Sequence, residues 1–111
     1  MNFVFEIGNL TRDPEMRQTQ KGENVCTFTI AVNRRNREEA DFLNIVIWNG
    51  LAENCYRYLK KGRKVAVVGS IRTGSYEKDG RTVHTTDINA SEVEFLSGKE
   101  KVQDDNGYDF Y

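Results

Sequence analysis

Strict alternation of apolar and polar side chains, broken once by a change of period, constrains this chain most. Phe3, Phe5 and Ile7 share one face of a first strand. Cys26, Phe28, Ile30 and Val32 share one face of a second, with Thr27, Thr29 and Asn33 on the other. Between them, Thr11 to Glu15 holds the only proline and predicts a turn, followed by a short polar strand and a second turn at Lys21-Gly22. A third strand, Asp41 to Trp48, is apolar on both sides: Leu43, Ile45 and Ile47 on one, Phe42, Val46 and Trp48 on the other. The period then changes, since Leu51, Cys55 and Leu59 recur at helical spacing with Ala52 and Tyr56 beside them. Lys61-Gly62 is expected to stop that helix.

A fourth strand is expected over Lys64 to Thr73, with Gly69 marking a bulge or sharp bend. Lys78-Asp79-Gly80-Arg81 predicts a hairpin turn into a fifth strand. In that strand the apolar positions switch parity, from Ile88 and Ala90 to Val93 and Phe95, which predicts another bulge. Three strands, one short helix and two more strands describe an all-β chain with the outline of an OB-fold, a five-stranded Greek-key barrel.

The 111 residues suffice for one domain, expected over 1–98, with no internal repeat. Residues 99–111 lack sustained periodicity and are expected to form a short disordered tail, acidic and aromatic in character. The whole chain has a formal charge of −1, yet after Lys101 the only charges are Asp104, Asp105 and Asp109. The body therefore carries 16 basic against 14 acidic residues, and the acid is gathered at the end. The first ten residues lack a secretory pattern, and no run approaches bilayer-spanning length. Cys26, Cys55 and the single His84 have no zinc or redox-pair spacing. Buried thiols in a reducing cytoplasm are the expectation, with no metal and no cofactor.

The third strand bears most on function. One of its apolar faces fills a core, so Phe42, Val46 and Trp48 must meet a subunit, a helix or a ligand. Flat aromatics on an open sheet face suit nucleobases, because every base has a π-face. On this strand alone, core packing and base stacking explain the pattern equally well. Tyr76, beside the hairpin, offers a further stacking surface. Basic residues gather nearby in sequence: Arg34, Arg35 and Arg37 before the strand, Lys60, Lys61, Arg63 and Lys64 after the helix, and Arg72 near Tyr76. Glu38, Glu39 and Asp41 directly after the arginines fit a solvated loop just as well. The end of the chain sets Asp109, Phe110 and Tyr111 in an acidic context that suits a basic-rimmed apolar pocket on a partner. No nucleophile–base set, phosphate-cradling loop or paired carboxylates point to catalysis, so the chain is expected not to be an enzyme. Two rivals stand beside a DNA-binding role: a protein-interaction adaptor using the strand-3 aromatics, and a nuclease on the same scaffold.

Gly8-Asn9-Leu10-Thr11-Arg12-Asp13-Pro14-Glu15 and Thr29-Ile30-Ala31-Val32-Asn33-Arg34 resemble the opening signatures of the bacterial and phage single-stranded DNA-binding protein (SSB) family. Leu51-Ala52-Glu53, Tyr58-Leu59-Lys60-Lys61-Gly62 and Gly69-Ser70-Ile71-Arg72-Thr73 extend the resemblance over residues 1–98. It implies an OB-fold, a homotetramer with a dimer as the alternative, and sequence-independent binding in replication, recombination and repair. By that resemblance Phe42, Trp48 and Tyr76 match stacking positions, and Lys61 and Arg72 match basic ones. Arg34 and Arg35 stand in a loop where many members place a further aromatic. The long Gly/Gln/Pro-rich linker is nearly absent, and Tyr108-Asp109-Phe110-Tyr111 replaces the usual Pro-Phe tip that recruits replication and repair proteins. Such a tip fits a phage, mobile-element or accessory paralogue, located with the nucleoid in the cytoplasm.

Overall fold

The computed structural model describes residues 1–36 and 38–96. The expected tail, including Asp109, Phe110 and Tyr111, and the domain boundary near residue 98 lie outside the described residues. The elements are β1 (Val4–Leu10), β2 (Glu15–Gln18), β3 (Asn24–Asn33), β4 (Ala40–Trp48), α1 (Asn49–Tyr58), β5 (Lys64–Lys78) and β6 (Arg81–Phe95). Pairing runs β1-β5-β6-β4-β3 and closes from β3 back to β1, a ring of five strands, with β2 on part of the β3 edge. This is the expected OB-fold barrel. Every pairing is antiparallel except β4 with β6, a parallel seam of two residue pairs, Ile45↔Ile88 and Val46↔Asn89.

The alternation of β3 and β4 sends Cys26, Phe28, Ile30, Ile45 and Ile47 into the core, where they meet Val65 and Val67 of β5. Helix α1 closes one end of the barrel with Ala52, Cys55 and the following Leu59. It stops at Tyr58, earlier than the glycine suggests: Leu59 is already extended, and Gly62 belongs to the next turn, where Arg63 N–H bonds Lys60 O at 3.1 Å. Burial raises the Cys26 thiol to about 11, and burial together with the neighbouring Cys26 raises the Cys55 thiol to about 12, so both stay protonated and unreactive at neutral pH.

On β1 the more apolar face points outward. Phe3 and Phe5 are 66% and 55% exposed, while Leu10, of opposite parity, is buried. Cross-strand pairing puts Phe5 beside Val68 and Ile7 beside Ala66 on that same outer surface.

The predicted bulge in the last strand is present. Pairing passes from Gly69↔Ala90 to Val68↔Glu92, leaving Ser91 as the extra residue. Gly69 is needed there because an added Cβ would lie 2.2 Å from the Asn89 carbonyl oxygen. The hairpin turn is the expected one, with Asp79 and Gly80 at φ of 51° and 77°, the signature of a tight two-residue loop. It lets β5 continue well past the expected end at Thr73, so β5 and β6 project as a two-stranded ribbon. From Ile71 to Thr82 every residue of that ribbon is exposed.

Candidate nucleic-acid interface

Register decides which side chains share a surface, because directly opposed residues project to the same side of a sheet. On β3 and β4 the outer pairs are Thr27↔Val46, Thr29↔Asn44 and Ala31↔Phe42, and Trp48 continues that parity opposite Val25. The parallel pair Val46↔Asn89 carries the surface onto β6, and Asn89↔Ser70, Asp87↔Arg72 and Val83↔Tyr76 carry it onto β5. Phe42, Trp48, Arg72 and Tyr76 therefore lie on one continuous outer face that crosses four strands.

These aromatics differ in freedom. Phe42 is 65% and Tyr76 51% exposed. Trp48 is half-buried, and its indole Nε1–H donates to Asn89 Oδ1 at 3.0 Å. Between them runs a shallow groove of about 250 Å³ with polar walls from Arg12, Arg17, Thr27, Thr29, Asn44 and Asp87. Within it, Thr29 Oγ1–H donates to Asn44 Oδ1 at 3.0 Å.

The loop arginines divide. Arg34 Nη1 meets Glu39 Oε1 and Arg34 Nη2 meets Asp41 Oδ1, both at 2.8 Å. The hydrogen bond to Asp41 raises the Arg34 pKa and lowers that of Asp41, which holds this pair in its charged form, and two carboxylates face the one guanidinium. Arg35 is exposed and makes no ion pair among the described residues. Arg37 lies outside them. Lys61 sits on the exposed turn after α1, and its backbone N–H donates to Asp13 Oδ1 at 2.8 Å. That bond clips the Lys61 turn to the loop carrying Arg12, one of the residues that line the groove. Among the described residues, no group of three or more His, Cys, Asp or Glu could hold a metal ion, and no helix is long and apolar enough to cross a membrane.

A family model for the single-strand binding protein family matches residues 1–96. The chain belongs to that family. It is 44% identical over 117 aligned positions to single-stranded DNA-binding protein 1 of Staphylococcus aureus strain MSSA476, covering all of this chain and 74% of the relative. A single-stranded DNA-binding protein of Oceanobacillus iheyensis is 45% identical over 115 positions, covering 96% and 71%. One of Bacillus cereus is 47% identical over 102, covering 86% and 60%. The single-strand binding protein family consists of DNA-binding proteins that are not enzymes.

Seen in this family member's geometry, sequence reasoning missed Arg12, Arg17, Asn44, Asp87 and Asn89. A signal for Arg17 existed: its strand alternates in step with β3, and it pairs with Val25 on the parity of Thr27 and Thr29. Asp87 and Asn89 carry the parity opposite to the buried Ile88 and Ala90. Their place beside β4 is invisible without the parallel seam.

Proposed function

We propose that the chain binds single-stranded DNA without reading its sequence, stacking bases on Phe42, Trp48 and Tyr76 and meeting phosphates with Arg35, Lys61 and Arg72. The observation that carries this reading is the shared outer face of Phe42, Trp48, Arg72 and Tyr76, framed by the arginine-lined groove. Stacking explains tolerance of any base, and cationic contacts explain binding of any backbone. Arg34 joins them at lower weight, because its charge is shared with Glu39 and Asp41. Oligo-dT is expected to quench Trp48 fluorescence, with affinity falling steeply as salt rises. Absence of both quenching and a gel shift would overturn the reading.

In the cell this activity serves DNA replication, recombination and repair in the cytoplasm. The chain works as a homotetramer whose first contact uses β1. Val4 to Gly8 pair only with β5, leaving their other edge open among the described residues, and Phe3 and Phe5 flank that edge. An open edge beside exposed aromatics suits pairing with its own copy about a two-fold axis. Mass measurement in solution tests this: a tetramer supports it, a dimer would keep the β1 contact but overturn the tetramer, and a monomer at micromolar concentration refutes both. Asp109, Phe110 and Tyr111 recruit replication and repair proteins. Removing residues 102–111 is expected to abolish capture of those proteins while DNA affinity holds; weaker DNA binding would contradict that assignment.

A further inference from the structure

We propose that Asn89 is the positioning residue of the Trp48 base platform, holding the indole in one orientation before DNA arrives. The inference rests on the stacking reading above and adds to it a residue on a different strand. An indole N–H can only donate, so the Asn89 amide must present its oxygen to it, as it does at 3.0 Å. Trp48 is fixed at its backbone as well, as the last residue of β4 and the N-cap of α1. Without the Asn89 bond the ring would still be free to turn about its side-chain torsions.

The backbone of Asn89 is unusually well held. It pairs with Val46 on one side and Ser70 on the other. The bare Cα of Gly69 lets β5 press against its carbonyl. Two residues on, the Ser91 bulge is pinned by a hydrogen bond from Ser91 Oγ to Val68 O at 3.2 Å. Bulges re-aim side chains, and here the one beyond Asn89 ends the parity that sends Asp87 and Asn89 toward β4. The Trp48–Asn89 bond also extends the two-pair parallel seam between β4 and β6 by a side-chain link. A platform held in this way loses little freedom when a base stacks on it, which favours binding.

Trp48 is the only tryptophan, so tryptophan emission comes from this ring alone. In DNA-free protein, Asn89→Ala is expected to move the emission to longer wavelength and lower its anisotropy. The same variant should weaken oligo-dT binding about threefold to tenfold, the worth of one net hydrogen bond. Asn89→Gln, which keeps an amide oxygen within reach, should recover part of both. In a Trp48→Phe background the ring has no N–H, and there Asn89→Ala should cost no further affinity for a labelled oligonucleotide. Unchanged emission and affinity in Asn89→Ala, or an equal affinity loss in both backgrounds, would overturn the proposal. A wild-type protein that fails to bind oligo-dT, while Asn89→Ala still shifts the free emission, would sink the DNA reading and leave the anchor standing.

Discussion

The barrel has two outer faces that differ in what they offer a partner. The face over β3, β4 and the ribbon sets exposed aromatics around a groove containing Arg12 and Arg17. The face over β1 and β5 presents Phe3, Phe5, Ile7 and Val68, and its cleft is rimmed by Glu92 and Glu94 with no cation in its lining among the described residues. Both arise from period-2 alternation around one shared core. Charge sign separates them: a polyanion is drawn to the first face and repelled by the rim of the second, where an apolar protein surface gains from burial. Exposed aromatics alone therefore say that a partner exists, and the charges beside them say which kind.

The comparison breaks most severely if the common core is damaged. Ile45→Ala removes a fully buried side chain beneath the DNA face and should cost roughly 2 to 5 kcal/mol of stability, read by denaturant unfolding. A small effect there would mean that β4 packs differently. Tyr76→Ala should leave the unfolding midpoint near wild type, and Trp48→Ala, which also removes the link to Asn89, should lower it modestly, while each weakens oligonucleotide binding by roughly 1 to 3 kcal/mol. Unfolding without loss of DNA affinity would invert the two sides of β4.

Phe5→Glu sharpens the contrast, since it should lower the mass in solution yet preserve binding to an oligonucleotide short enough to occupy one barrel. Loss of binding to that short strand would show that the two faces do not act separately. The smallest differences are expected in salt dependence. Arg72→Gln should reduce the slope of log affinity against log salt by about 0.7, the value for one phosphate contact on a single strand. Arg34→Gln should reduce it less, because Glu39 and Asp41 already share that charge. Equal slopes for the two variants would remove the distinction between them.

Much of this architecture is legible in the residues. The polar partners of Cys26, Phe28 and Ile30, the doubly apolar β4, the Asp79-Gly80 turn and the parity switch after Ala90 all act locally, so spacing reveals them. The inward side of β1 is not legible in the same way. Phe3, Phe5 and Ile7 outweigh Val4, Glu6 and Gly8 in apolar character, yet they face out, because hydrophobicity records that a side chain seeks cover and not where the cover comes from. The candidate interface is half legible: Phe42, Trp48, Arg72 and Tyr76 stand out by type, and alternation puts each pair on one side of its own strand, while their common face depends on the register between strands. Arg12 and Asn89 gain their positions from the Asp13–Lys61 clip and the β4–β6 seam, which join residues 48 and about 40 positions apart. Nothing local encodes such pairings.

The length of the β5–β6 ribbon has a mechanical consequence. A hairpin wetted on both sides is kept straight by its rungs alone, and it bends far more easily than a strand backed by a core. Tyr76 thus rides on a spring, whereas Trp48 stands on the barrel wall. Under the stacking proposed above, a polymer laid across the two could alter the spacing between neighbouring bases without losing hold of either ring.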